Sequence, residues 1–471
     1  MADRWKVILD ILFLSAFLGI GTFLKRKVPF FRKFLIPNAI IAGFVGLILG
    51  PEILGRAMGA LFPGKALASL YVPLDPNRLE TLIYHLMAIG FIALSLKKRE
   101  PGRGKQAFNT GIFIVSSYLV QGILGFAITL LLFYTILPDL FAPLGLLLPL
   151  GFGQGPGQAF SIGSSWEPEG FIFGGNVGLA IATIGFLWAT IGGVLYMNFI
   201  VRKRHFVKPE DRPETHQKSV DEDEPGEIPL GGSIDRLSVQ IFQIGIVYLI
   251  TYGVVAGLSA ILVNLGTFGV TISNLLWGFH FIIGALIALA TRVSYRFFKN
   301  VKLMNRNYPN NFLLQRIAGG AFDYMIAASI AALSWTAFKQ YALPVVLITT
   351  LGGLLTLWFC TFMAKRIYPK HVVENTLGMF GMMTGTVSNG MALLRELDPN
   401  YTTDAADNLV LGSGTGIFLG LPLMLVLPLP VMGFAQGRPI MFLITFIAFI
   451  AYLAILLTML FINVRHQRRK A

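Results

Sequence analysis

Apolar residues are gathered along this chain in long blocks, separated by short clusters of basic residues. Blocks able to supply the roughly 20 apolar residues that a spanning helix needs cover 7–24, 34–51, 80–96, 110–136, 172–201, 238–265, 273–291, 317–338, 343–364, 403–430 and 439–463. Each predicts a membrane-spanning helix. Two more apolar stretches, 142–166 and 372–396, are interrupted at their middles by small and polar residues and predict helices that break halfway. The one long hydrophilic segment, 202–236, contains Asp221-Glu222-Asp223-Glu224 and several prolines. It reads as a linker that halves the chain, a plain tether rather than a regulatory element. The block from Val7 to Leu24 lacks a small-residue cleavage pattern and is followed by basic residues, so it reads as a first span.

The basic clusters test this layout, because cytoplasmic loops carry the excess of Lys and Arg. With the N-terminus outside and both interrupted stretches folded back as re-entrant hairpins, most of the 38 Lys and Arg residues fall on the cytoplasmic side. The bias persists without the linker, whose basic residues are offset by its acids. A full crossing by either stretch would move every later loop to the other side and partly cancel the bias. The charges therefore predict that 142–166 dips in from outside and 372–396 from inside, with the linker and C-terminus cytoplasmic.

The halves beside the linker share a plan of four spans, an interrupted hairpin and a Gly-rich fifth span. At an offset of about 230 residues, Gly155 falls against Gly385, and Glu167-Pro168 falls against Asp398-Pro399 after a one-residue gap. Asn38 falls near Asn274. Five spans per half is odd, so the second half must be inserted upside down. The expected fold is an all-α polytopic membrane protein with a first repeat over 1–201, a linker over 202–236, a second repeat over 237–430 and an extra span and basic tail over 431–471. Inverted five-helix repeats with broken helices belong to secondary transporters, whose sites lie near the midplane.

Composition agrees with a bilayer environment. Hydrophobic residues make up 55% and charged residues 13%, with mean hydropathy +0.68, against about 25% charged in soluble domains. The net charge of +14 sits in the topology-setting clusters, which excludes nucleic acid as its reason. A single cysteine, Cys360, rules out an intrachain disulfide and a thiolate metal site.

Candidate chemistry concentrates at the two interruptions. Gly153-Gln154-Gly155-Pro156-Gly157-Gln158 ends any helix, and its freed amides suit an anion such as a carboxylate. Thr384-Gly385-Thr386-Val387-Ser388-Asn389 offers hydroxyl and amide oxygens, hard ligands for a hard cation. The plainer readings are a tightly packed kink for the first and Ser/Thr back-bonding for the second. Asp323, an ionisable group in an apolar segment, is a cation ligand or proton carrier by default, or else a helix-end aspartate reaching the interface. Asp407 opens a span, where N-capping competes with a cation role. Asn176, Thr183 and Ser413 are polar positions on the fifth spans. His85 and His280 read as satisfied interior histidines. The packing reading is favoured for the Gly412, Gly416 and Gly420 face.

At the hairpins the chain resembles the bacterial sodium/glutamate symporter family. Gly153-Gln154-Gly155-Pro156-Gly157-Gln158-Ala159-Phe160 is similar to the family's Gly-His-Gly-Thr-Gly-Ala-Ala-Trp string. Ala182-Thr183-Ile184-Gly185 and the positions Thr384, Thr386, Met391 and Glu396 also resemble family patterns. Gln154 and Pro156 depart from its histidine and threonine, and the last span is extra. The resemblance implies a homodimer in the bacterial inner membrane, Na⁺ as coupling ion, glutamate or a related small carboxylate as solute, and elevator-like movement of the hairpin-bearing part. On this reading Gln154, Gly155, Pro156, Gly157, Gln158, Thr384, Gly385, Thr386, Ser388 and Asn389 hold the solute. Asp323, Asn389, Thr183, Asn176, Asp407 and Ser413 are the expected Na⁺ ligands. A proton-coupled carboxylate transporter, with Asp323 as carrier, is the alternative. An intramembrane enzyme would need clustered His, Asp or Arg at one face, whereas the acids here are scattered, and a passive pore gains nothing from opposed hairpins.

Overall fold

A computed structural model describes residues 2–97, 104–204, 230–301, 309–398 and 403–468. Most of the expected linker, including its acidic run, and Pro399 lie outside the described residues. Among the described residues the regular structure is helical throughout, with no strand. Among the described residues nine helices are long and apolar enough to cross a membrane, or up to ten if one bent pair is counted as a span.

The first half contains α1 (Ala2–Lys27), α2 (Asn38–Leu49), α3 (Pro76–Leu96), α4 (Gly104–Thr135), α5 (Pro156–Ser165), α6 (Gly174–Leu187) and α7 (Gly193–Arg204). The second contains α8 (Leu230–Val263), α9 (Gly266–Gly278), α10 (His280–Asn300), α11 (Asn311–Ala331), α12 (Trp335–Ile367), α13 (Val372–Thr384), α14 (Val387–Leu397), α15 (Ala405–Val426), α16 (Pro428–Ala435) and α17 (Ile440–Arg468).

Three expected spans are corrected. The block 273–291 is not one rod: α9 and α10 meet at a 66° bend beside Phe279. The block expected over 317–338 ends as α11 at Ala331, and Ser334 opens α12 by accepting a bond from the Ala337 amide at 3.3 Å. α11 also falls short as a span by composition, because Gln315, Arg316 and Asp323 interrupt its alanines. The third block, 403–430, is shifted: the span runs over Phe418–Ala435, through the joint of α15 and α16 at Leu427.

Two apolar cores form. One gathers Phe113 and Phe126 of α4, Leu148 and Phe152 before the first break, Phe380 of α13 and Phe449 of α17. The other gathers Leu14 of α1, Ile40 of α2, Leu79 and Met87 of α3 and Ile330 of α11. Phe160 of α5 and Leu179 and Phe186 of α6 belong to this second core, so α5 and α6 form the face that the hairpin-bearing core presents to it. The extra helix α17 covers α4: the Phe126 ring stacks on Phe446 with centroids 5.5 Å apart and meets Phe442 edge-on at 5.9 Å.

Small residues let these backbones touch, as close helix packing in a bilayer requires. A Cβ added to Gly43 on α2 would lie 2.6 Å from the Ile330 Cβ on α11, and one at Gly284 on α10 would lie 3.0 Å from Ile92 on α3. On the other body, Gly111 of α4 packs on Thr415 of α15, and Gly353 of α12 packs on Trp188. Charge inside the bundle is paired: Asp10, 3% exposed, receives Arg78 Nε at 2.5 Å, and Arg78 also reaches Asp75 at 2.7 Å.

A Cβ at Gly145 would lie 2.0 Å from the Gly125 carbonyl, whereas one at Gly257 meets nothing within 4 Å. Gly145→Ala is expected to cost about 1–3 kcal/mol through overpacking. Gly257→Ala is expected to be neutral or slightly stabilising, since alanine favours the helix. Thermal unfolding of the two purified variants checks the contrast.

Candidate functional site between two helix breaks

Among the described residues, two of the helix interruptions in the apolar interior fall at Gly155 and Gly385. Before the first break, 142–154 winds through a 3-10 turn, one α-turn and a π-helical turn. Gly155 then adopts φ +93° and ψ 175°, a region that only glycine occupies without strain. Pro156 starts α5, where its missing N–H leaves no unmet donor. At the second break α13 ends at Thr384, Gly385 turns the chain, and α14 starts at Val387.

No side chain caps the start of α5 or α14. The Ala159 amide reaches back to Gly155 O at 3.3 Å, and the Asn389 amide to Thr386 O at 3.0 Å. The amides of Gly157, Gln158, Val387 and Ser388 belong to the first turns, which have no intrahelical acceptor. Each break therefore presents a positive helix N-terminus beside a carbonyl-rich C-terminal end.

The two breaks meet. A Cβ at Gly155 would lie 3.8 Å from Thr386 Cγ2. Helix α6 and the π-turn after it pass beside them: a Cβ at Gly185 would lie 2.6 Å from Thr384 O, and one at Gly385 would lie 3.0 Å from the Ala189 Cβ in that turn. Helix α4 supplies partners to both. Tyr118 Oη donates to Gly153 O at 3.2 Å, and Gln121 Nε2 donates to Met383 O and to Thr356 Oγ1 of α12, each at 2.9 Å. On the far side of α5, Gly157 packs against Met87 of α3 and Met325 of α11.

Among the described residues, three buried polar atoms of this region have no hydrogen-bond partner: Gln158 Oε1, Gln121 Oε1 and Asn389 Nδ2. The Asn389 Oδ1 accepts from Thr386 Oγ1 at 2.8 Å. The donor set is thus backbone amides and one carboxamide nitrogen for an anionic group. The acceptor set is carbonyl, hydroxyl and carboxamide oxygens, which suit a hard cation. Among the described residues no three His, Cys, Asp or Glu side chains converge.

The residues expected from sequence separate into two sets. Gly155, Pro156, Gly157, Gln158, Thr384, Gly385, Thr386 and Asn389 are gathered around the paired breaks. Gln154 is half-buried there and Ser388 is exposed. Among the expected cation ligands, Thr183 lies two residues before Gly185, but its hydroxyl bonds back to Leu179 O at 2.9 Å. Ser413 faces the second hairpin, bonding Leu409 O at 2.5 Å with Met382 Sδ at 3.4 Å.

The structure does not bring Asn176, Asp323 or Asp407 to the breaks. Asn176 lies at the start of α6, nine residues and about 14 Å of helix from Gly185. It donates to Glu80 Oε1 at 2.7 Å and accepts from the Ser334 amide at 2.9 Å. Beside it the Gly175 amide donates to Glu167 at 3.0 Å, and burial raises the Glu167 carboxyl above its ordinary range while that amide opposes the shift. Asp323 is exposed and sits two residues from Met325, the residue that faces α5. Two residues turn a helix by about 200°, so Asp323 points away. Asp407 is exposed on the first turn of α15. The sequence reading missed Tyr118, Gln121 and Thr356. Gln121, a lone carboxamide in an otherwise apolar stretch, was the available signal.

These features define a polytopic α-helical membrane protein with two broken helices packed tip to tip. No protein-family model, no curated protein and no solved structure matches this chain.

Replacing Gln121 by leucine strands Met383 O, while the Thr356 hydroxyl keeps its bond to Gly352 O at 2.7 Å, and is expected to cost about 1–3 kcal/mol. Gly155→Ala, forced to positive φ, is expected to cost a similar amount, about 1–3 kcal/mol. Thermal melts of the purified variants read both; unchanged midpoints would mean that neither group is fixed as described.

Proposed function

We propose that this protein is a secondary active transporter whose solute site lies between the two breaks. The observation that carries the reading is the meeting of Gly155 with Thr386, which sets two uncapped helix N-termini and three unpartnered buried polar atoms in one region. An apolar layer makes such groups costly, by several kcal/mol each when unmet. A solute and its coupling ion account for them.

The interrupted stretches are re-entrant hairpins that enter from opposite sides, and the halves are inverted repeats. Repeated packing supports this. Gly43 and Gly284 lie 241 residues apart, and each seats its helix on the other half, at Ile330 and Ile92. Gly111 and Gly352 have the same separation and seat α4 on α15 and α12 on Leu148. The two apolar cores support an elevator-like movement of the hairpin-bearing body, of which α4, the hairpins, α12, α15 and α17 form the core. It slides against a scaffold of α1, α2, α3 and α11.

Na⁺ as coupling ion and glutamate or a related small carboxylate as solute rest on the family resemblance and on the donor chemistry at the tips. Gln158, Asn389 and the first-turn amides hold the solute carboxylate. The carbonyl and hydroxyl oxygens at the C-terminal ends of the breaks, with Gln121 Oε1, hold Na⁺. Asp323 faces away from α5, which removes the main support for a proton-coupled cycle.

Proteoliposomes containing the purified protein are expected to accumulate labelled glutamate when Na⁺ is higher outside, and not when K⁺ replaces it. Asn389→Ala is expected to cut initial uptake by about tenfold, the equivalent of one lost hydrogen bond to a charged group. Equal uptake without a Na⁺ gradient would contradict the coupling. Absence of accumulation for every small carboxylate tried would contradict the solute class.

A further inference from the structure

Away from the breaks, at the basic end of α12, a cavity of about 420 Å³ opens between α7, α12 and α13. Its walls include Tyr196 and Phe199 of α7, Thr361 and Lys365 of α12, and Val372 and Thr376 of α13. The Tyr196 and Thr361 hydroxyls are 2.9 Å apart. Lys365 is exposed at the rim, and Arg366 beside it stacks over the Phe362 ring at 3.4 Å. The acid of the neighbouring turn, Glu374, is not part of the lining.

Below the rim the surface becomes apolar along helical spacing. Leu354, Trp358, Thr361 and Lys365 follow one face of α12, with Leu354 52% and Trp358 58% exposed. Leu195 and Phe199 run down α7 in the same way, each 57% exposed. The order is cation, hydroxyl pair, aromatic ring, aliphatic track. Interfacial aromatic and basic residues anchor membrane proteins at headgroup depth, and basic pockets between spanning helices select anionic headgroups. A water-soluble phosphate has no use for the apolar track, and a neutral lipid has no use for the concentrated positive charge.

We propose that this cavity binds the phosphate headgroup of an anionic phospholipid, with Lys365 on the phosphate, the Tyr196 hydroxyl turning its proton to it from Thr361, whose own hydroxyl donates to Leu357 O, and Leu195, Phe199, Leu354 and Trp358 along the acyl chains. The site joins α7 and α12 to α13, the first arm of the second hairpin. It depends on membrane embedding and not on the transport reading.

The test uses the full-length protein purified in detergent and titrated with phosphatidylglycerol, phosphatidylcholine of the same chains, or inorganic phosphate, with thermal unfolding as readout. Phosphatidylglycerol is expected to raise the midpoint well beyond phosphatidylcholine, and inorganic phosphate is expected to leave it unmoved. Lys365→Gln is expected to weaken the phosphatidylglycerol response about tenfold in concentration, as one charged hydrogen bond predicts, while Lys365→Arg retains it. Both substitutions are at an exposed position, so each variant's midpoint without lipid is expected to match the parent. Equal responses to the two lipids, or an undiminished response in Lys365→Gln, would overturn the proposal. A full shift with inorganic phosphate alone would overturn the lipid assignment.

Discussion

A helix that stops inside an apolar layer leaves amides and carbonyls that water cannot reach, and the rest of this structure is arranged around that constraint. Two such stops occur, at Gly155 and Gly385, and neither helix that follows is capped by a side chain. Their groups are met in part by α4, through Tyr118 on Gly153 O and Gln121 on Met383 O. At a third break, where α9 meets α10, side chains meet the freed carbonyls of Trp277 and Gly278. Tyr84 and His280 contact Trp277 O at 2.8 and 3.0 Å, and Ser161 donates to Gly278 O at 2.9 Å. The contrast between a satisfied bend and two partly satisfied breaks is what separates a structural kink from a candidate binding site.

The same constraint explains the distribution of glycine. Gly185 brings α6 onto Thr384 O, and Gly178 brings it onto Ala159 O, so α6 contacts both hairpins at backbone distance. Among the described residues, polar ties across the two cores include Asn176 to Glu80 and to the Ser334 amide, Glu52 to the Trp335 amide, Arg56 to the Thr336 hydroxyl, and Ser161 to Gly278 O. Between them the contact is apolar, with Met87 and Met325 on Gly157. Flexible thioethers fill irregular contacts and tolerate rearrangement, as the proposed sliding of one body would require.

Most of the helices and both breaks were legible in the sequence, because long apolar blocks and Gly-Pro clusters are local signals. Gly153-Gln154-Gly155-Pro156-Gly157 announces its own interruption. The bend at Phe279 was not legible, since no proline or polar cluster marks it and its carbonyls are satisfied from α3 and α5. The site was legible only where residues are adjacent in sequence. Asp323 attracted attention as a charge in an apolar segment, yet which way it faces depends on how α11 packs. Met325, two residues on, takes the contact with α5. Gln121 and Thr356 come together from positions far apart in the chain, and no local pattern relates them.

The proposed inverted arrangement makes the most direct demand on topology: each hairpin must begin and end on one side, and the two hairpins on opposite sides. Single cysteines placed at Asp139, Ile172, Lys370 and Glu396, with Cys360→Ser as background, can be labelled on intact cells with a membrane-impermeant maleimide. Labelling of Asp139→Cys and Ile172→Cys from outside, with Lys370→Cys and Glu396→Cys reached only after permeabilisation, is the predicted result. Opposite accessibility for the two ends of either hairpin would show a full crossing and contradict the account.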